Sequence, residues 1–444
     1  MQQSQVAEQP HSRVWGLAWP MILSNISVPL LGAVDTAILG HLPSPEYLSG
    51  VAIGASVMSM LLWAFGFLRM GTTGLVARAG DGGEQWLMRA LGLALVLGLV
   101  LLLLASPLLP FIVRWMNASE QTGPHALAYL QIRLWSAPLA LANFALLGFF
   151  IGRQDSRAPL FILLAANALN ILLDLVFIVG LELGARGAAM ATVCADISAF
   201  VLGLRLLGRV EPAIFSRLVR LLCRPDFLPW RDPAPWTELL RINGDLFVRT
   251  CLLLLTFTFF TAQGAAQGDA VLAANAILLQ LLMMTSYALD GFAHATEALV
   301  GESISRKSPR LFHTTVRSAG TWALASAAAI TAIYVAGQPL ILPLFSDIPA
   351  VLEQAEGVYW WLCALPLVAV WSYQLDGIFI GAGRSRQMRD TMFVATALVF
   401  FPAWWVTRSW GNHGIWFSLF LWTGARSIGL LLFYRYYTSS KSWT

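Results

Sequence analysis

Uninterrupted apolar runs of membrane-crossing length recur from one end of this chain to the other. The run LGLALVLGLVLLLLASPLL (91–109) carries no charge. In hydrocarbon, only a structure that satisfies every backbone N–H and C=O internally survives. A β-barrel would need strands of about ten residues with alternating polarity; these runs do not alternate, so they read as helices. At roughly 20 residues per crossing, a chain of 444 residues has room for about twelve spans with short loops. Composition agrees, with 57% hydrophobic and 12% charged residues, where a soluble domain carries about 25% charged. An ordinary soluble enzyme and a disordered chain are excluded. So is a nucleic-acid-binding protein, despite 28 basic residues against 24 acidic ones. The expected fold class is an all-α membrane protein of twelve transmembrane helices.

Charge, proline and glycine bound the expected spans at 14–40, 48–76, 88–114, 125–152, 159–181 and 187–208, then 236–263, 270–300, 314–337, 352–381, 390–408 and 413–436. The first thirteen residues are polar and the apolar run after them lacks a small-residue cleavage site, so no processed secretory segment is expected. Basic residues crowd the loops on one side: Arg78 and Arg89, Arg153 and Arg157, a cluster from Arg205 to Arg241, then Arg306, Lys307 and Arg310, Arg384, Arg386 and Arg389, and finally Arg435 and Lys441. The opposite loops offer little beyond Arg114, Arg186 and Arg408. The positive-inside rule then places both termini in the cytoplasm, which requires an even number of spans in the cytoplasmic (inner) membrane.

The chain also repeats itself. LGFFIGRQDSR (147–157) and DGIFIGAGRSR (376–386) share six of eleven residues at an offset of 229. Pro138-Leu139 matches Pro366-Leu367, and TAILG (36–40) resembles TAQG (261–264). Two pseudo-symmetric six-helix lobes follow, 1–208 and 236–444, joined by a basic, proline-bearing linker at 209–235. Six is even, so the lobes share one orientation. A parallel repeat of that kind suits alternating access around a central cavity.

Ionisable residues at membrane depth cost about 2.5–3.5 kcal/mol on insertion scales and are functional hypotheses by default. Asp35 lies deep in the first span, and Asp174 lies in the fifth, four residues after Asn170. That spacing puts an amide and a carboxylate on one helix face. Thr192 sits in the sixth span, four residues before Asp196. At offsets of 225 and 229 these positions correspond to Phe260, Val399 and Ala403 for Asp35, Asn170 and Asp174. The second lobe thus builds the same helices without the polar groups. The competing reading is an interhelical hydrogen bond of about 0.6 kcal/mol.

The second lobe has its own set. Asp290, His294 and Glu297 fall on one face of the eighth span, and Asp376 opens the second repeated motif. A His with two carboxylates suits a proton relay or a metal site; without a second His or a Cys nearby, a wetted pairing network is favoured and no metal site is expected. Asp245 and Arg249, at i and i+4, read as a structural pair. The four cysteines (Cys194, Cys223, Cys251, Cys363) form no C-x-x-C and read as packing residues. No G-x-x-x-x-G-K-[ST], G-x-S-x-G or H-E-x-x-H occurs, so neither an ATPase nor a hydrolase is expected and no cofactor is implied. Energy for any transport would come from an ion gradient or a partner.

PMILSNISVPLLGAVDTAILG (20–40), NALNILLD (167–174), GARGAAMAT (184–192) and the two F-I-G-x-x-x-S-R loops together resemble the multidrug and toxic compound extrusion (MATE) family, more specifically its DinF-type prokaryotic branch. The resemblance covers nearly the whole chain. It implies a cation-coupled exporter of amphipathic, often cationic compounds. The coupling carboxylates fall at Asp35 and Asp174, their partners at Asn170 and Thr192, and a helix-bending proline at Pro20. The seventh span (LLLLTFTFFTAQ, 252–263) lacks the deep acid of the NorM-type branch, so sodium coupling through the second lobe rests on Asp376 alone.

The leading expectation is proton antiport, with H+ and substrate competing at Asp35 and Asp174. Protonation of Asp35 would let the first span bend at Pro20 and shrink the cavity. Two carboxylates, an amide and a hydroxyl (Asp35, Asp174, Asn170, Thr192) also make an acceptable Na+ site, so sodium antiport stands as an alternative. A lipid-linked-precursor flippase is a third reading, disfavoured because the deep residues are acids rather than cations. An integral-membrane glycosyl transferase would need long external loops that this chain lacks. Membrane lipid and small molecules are the expected partners, and the protein is expected to act as a monomer.

Overall fold

The computed structural model describes residues 10–40, 45–116, 119–216, 233–440, 442 and 443. These are nearly all helical, with no strand among them. Among the described residues, eleven helical stretches are long and apolar enough to cross a membrane: Pro10–Leu39, Glu46–Ala79, Gly83–Trp115, Arg157–Gly180, Gly184–Val210, Ala234–Ala266, Asp269–Ser305, Pro309–Leu344, Pro349–Gly381, Ser385–Trp410 and Asn412–Ser439. The bent pair Thr122–Leu134 and Ala137–Gly152, meeting at 53°, makes a twelfth. They are called spans 1 to 12 in chain order, the bent pair being span 4. Each expected span is present, most of them running several residues further at the ends.

Span 3 carries small residues on its inner face and apolar bulk on its outer one. In span 3, Ala90, Ala94 and Gly98 face inward, while Val96, Leu99, Leu103 and Leu104 are exposed. That inversion is what lipid selects: apolar bulk gains nothing from burial there, and small residues let backbones approach.

The chain forms two compact units, Leu23–Leu240 and Arg241–Thr444, the second joined by the residues up to Ile22. The start of span 1, expected with the N-terminal lobe, therefore goes with the C-terminal unit. Its packing explains this: Val14 and Ala18 are buried in one cluster with Leu289, Phe292, Ala295 and Leu299, and Arg13 donates to Glu302 at 2.7 Å. Most of the expected linker, residues 217–232, and Cys223 with it, lies outside the described residues.

The repeated motif is a helix-packing device. In span 4, a Cβ on Gly148 would sit 2.5 Å from the Arg69 carbonyl oxygen, and one on Gly152 2.8 Å from that of Thr73, both in span 2. In span 10, a Cβ on Gly377 or Gly381 would sit 2.5 Å from the carbonyl oxygens of Ala293 and Glu297 in span 8. Each G-x-x-x-G pair lets two backbones meet at the end of the bundle that carries the basic loops. Only glycine leaves that room.

Candidate functional site

Asp35, Asn170, Asp174 and Thr192 meet within the unit Leu23–Leu240. Asn170 and Asp174 are fully buried. Asp174 ends the regular helix of span 5, which widens into a π-turn at Leu175–Gly180; such turns are frequent at functional sites. The Asn170 amide is oriented with its nitrogen donating to Asp174 Oδ2 (3.0 Å), since an oxygen there would face a carboxylate oxygen. Its own oxygen then accepts from the Thr192 hydroxyl (3.3 Å) and backbone N–H (3.1 Å). The Thr192 hydroxyl also reaches the Ala188 carbonyl at 2.9 Å.

The carboxyl groups of Asp35 and Asp174 face one another closely enough to share a proton. Asp35 Oδ1 is buried and has no hydrogen-bond partner among the described residues. Two facing carboxylates cannot bond without a proton between them, because an ionised carboxylate only accepts. A cavity of about 100 Å³ adjoins Asp35, lined also by Thr36, Leu48, Val51, Tyr129 and Thr192 among others. Drug-sized pockets run to roughly 300 Å³ or more, so this one has room for water or a small ion.

Tyr129, Arg133, Ser136 and Asp196 complete the surroundings, and the reading of the sequence passed over the first three. Tyr129 lies beside Arg133, Thr192 and Asp35. Arg133 Nη1 donates to Asp196 at 2.6 Å, and the Ser136 hydroxyl donates to the same oxygen at 2.7 Å. The signal was present: an arginine inside an apolar run, and two i, i+4 pairs, Tyr129/Arg133 and Thr192/Asp196, on neighbouring helices.

Pro20 is buried, and the helix Pro10–Gly40 runs on through it and through Pro29. In the C-terminal unit, Asp376 accepts on one oxygen from both Arg249 and Arg426, the second at 3.1 Å. Asp245 takes other partners, Arg389 at 2.7 Å and Ser385 at 2.8 Å. The expected Asp245–Arg249 pair is thus replaced by two interhelical pairs, because both side chains point across to spans 10 and 11 rather than along their own helix. His294 and Glu297 are buried and Asp290 is half-buried, on the stretch of span 8 that packs against the glycines of span 10. Among the described residues no three His, Cys, Asp or Glu side chains group closely enough to hold a metal ion. Of the described cysteines, all free, Cys363 is buried, Cys194 half-buried and Cys251 exposed on its helix.

Eleven apolar membrane-length helices among the described residues, or twelve with the bent pair, make this an integral membrane protein. Its relatives sharpen the class. The MatE family model matches residues 20–176 and 246–405. DNA damage-inducible protein F of Escherichia coli (strain K12) is 38% identical over 97% of this chain and 93% of its own length. A probable multidrug resistance protein NorM of Bradyrhizobium diazoefficiens is 27% identical over 94% of this chain and 92% of its own. Among solved structures, the outward-facing conformation of a multidrug resistance MATE family transporter superposes with a TM-score of 0.87, at 19% identity, covering 99% of this chain and 98% of that one. The chain belongs to the MATE family and is a transporter, not an enzyme.

Proposed function

We propose that this transporter exports amphipathic or cationic small molecules by proton antiport, with Asp35 and Asp174 as the coupling acids. One observation carries the reading: Asp35 and Asp174 face each other, and among the described residues no cationic side chain is bonded to either. Two other deep acids are matched, Asp196 by Arg133 and Asp376 by Arg249 and Arg426. A matched acid has its charge neutralised permanently. An unmatched pair in low dielectric must take a proton or a cation.

Those two occupants are the two halves of an antiport cycle. With the proton on the pair, Asn170, itself held by Thr192, bonds the Asp174 carboxyl. With the proton gone, the negative charge draws a cationic substrate. Protonation on the external side would discharge substrate, and loss of the proton to the cytoplasm would reset the site. Pro20, which cannot donate a helical hydrogen bond, is where span 1 would bend as Asp35 changes partners. The names of the relatives, a probable multidrug resistance protein NorM and a multidrug export protein MepA, support a broad substrate range. The crowding of basic residues in alternate loops supports an inner-membrane protein with both termini in the cytoplasm.

Proteoliposomes with pH and sodium gradients imposed separately test the proposal. The pH gradient should drive efflux of a lipophilic cation, and Asp35→Asn or Asp174→Asn should lower that efflux at least tenfold in folded protein. Efflux driven by sodium alone at fixed pH would assign the four oxygen ligands to Na+ instead. Undiminished proton-driven efflux in both variants would overturn the acid-pair site.

A further inference from the structure

Beyond the acid pair, the N-terminal unit holds a second polar layer whose role the antiport reading leaves open. Arg133 is buried in span 4, two residues before the break that bends the span by 53°. Asp196 in span 6 accepts from Arg133 and from Ser136, on either side of Leu134 and Trp135. Ser136 also receives a bond from Arg133 Nη1 at 2.7 Å, and Asn143 donates to the Asp196 carbonyl at 3.0 Å. Three hydrogen bonds thus fasten both sides of the break, and Asn143 farther along span 4, to Asp196 of span 6, and a fourth ties Arg133 to Ser136 across the break. One helical turn away, Tyr129 and Thr192 occupy the matching positions on the same two helices and line the cavity with Asp35.

We infer that the Arg133–Asp196 pair, fastened to the bend of span 4 through Ser136, is a positioning element of the coupling site. It holds Tyr129 against Asp35 and Thr192 and keeps a fixed, balanced charge one turn from the acid pair. The inference rests on the proposed coupling role of Asp35 and Asp174. Its physical content is that neither ion of the pair is dispensable alone: each cancels the field of the other, and a buried charge left alone acts strongly on its neighbours. The charged and titratable groups on the helices around the acid pair are Tyr129 and Arg133 with His125 (span 4), Asp196 with Arg186, Cys194, Arg205 and Arg209 (span 6), Glu46 and Tyr47 with Arg69 and Arg78 (span 2), and Arg157 (span 5). Arg133 is the cation beside Tyr129, and Asp196 is its counter-ion.

Infrared titration of the carboxyl C=O stretch in purified, liposome-embedded protein reads the acid pair directly, its band being assigned by loss in Asp35→Asn. In Asp196→Asn the unopposed guanidinium favours ionised acids, so the midpoint should fall by about 0.5 pH unit or more. In Arg133→Gln the unopposed carboxylate favours the protonated pair, so the midpoint should rise. The double variant should return toward the wild-type value. A merely structural pair would alter stability without opposite shifts, and equal midpoints in folded variants would overturn the inference. Should Arg133→Gln fail to fold, Asp196→Asn decides alone: an unchanged or raised midpoint refutes it. Absence of any Asp35-dependent band would refute the acid-pair reading itself, and the inference with it, so the two failures are distinguishable.

Discussion

The two halves of this chain use one packing plan and opposite treatments of buried charge. Spans 4 and 10 meet spans 2 and 8 through the same spaced glycines. The acids that follow from that plan differ. In the C-terminal half Asp376 is locked by two arginines; in the N-terminal half Asp35 and Asp174 face each other, with the Asn170 amide on Asp174. Phe260, at the position the repeat pairs with Asp35, is fully buried with its ring 5.1 Å from that of Trp416. One half fills its centre with aromatics and closed ion pairs, the other leaves a small cavity beside an unmatched acid.

Backbone continuity divides the halves in the same way. Span 2 is interrupted between Ala64 and Phe67, span 3 by a 3-10 turn at Ser106–Leu108, and span 4 between Leu134 and Ala137. Spans 8 and 10 are continuous, although Pro366 lies inside span 10. Both halves carry a π-turn, but after 18 residues of regular helix in span 5 and after 10 in span 11. Span 9 carries a 3-10 turn of its own at Leu342–Leu344, so the difference in jointing lies in spans 2 and 4 against spans 8 and 10. The lesson is that duplication conserved contacts between helices while leaving charge and stiffness free to diverge.

Substitutions can break that comparison, beginning with the largest effect. Asp376→Asn should destabilise the protein by about 3–5 kcal/mol, because two buried guanidiniums lose their shared carboxylate; thermal unfolding in detergent reads this. Asp35→Asn should leave stability within about 1 kcal/mol or raise it while abolishing proton-driven efflux, since the carboxylate it removes is not part of an ion pair. Equal stability losses at both sites would erase the distinction. Gly148→Ala and Gly377→Ala should each cost about 1–3 kcal/mol, since the new methyl meets a carbonyl oxygen on the facing helix. Similar losses at the two positions would sharpen the claim of a common plan. Asn170→Ala should lower efflux several-fold with a small stability change, measured by the same assays. Cys251→Ser, on an exposed face, should stay within about 0.5 kcal/mol and transport at the wild-type rate.

Much of this was legible in the residues. Apolar runs located every span, and the repeated F-I-G motif, read only as a sign of duplication, proved to carry the glycine contacts. Asn170 and Asp174 were on one helix face by spacing alone. What escaped depended on distance along the chain: Asp376 finds Arg249 127 residues away and Arg426 50 residues away, which no local pattern encodes. Arg133 escaped because basic residues were weighed in the loops, where they report sidedness, and not inside the spans. The breaks escaped for another reason. Pro138 follows a bend while Pro366, its partner in the repeat, sits in an unbroken helix, so the outcome depends on what packs around each proline.

The spaced glycines carry one more consequence. Helices held backbone to backbone at one end behave as beams clamped in a common base, and a clamped beam deflects only beyond its support. The interruptions in spans 2, 3 and 4 lie farther along than the glycine contacts, on the side away from the basic loops. Any flexing of the N-terminal half is therefore geared outward from a stiff root, and the same root in the C-terminal half supports arms that have no joint in spans 8 and 10.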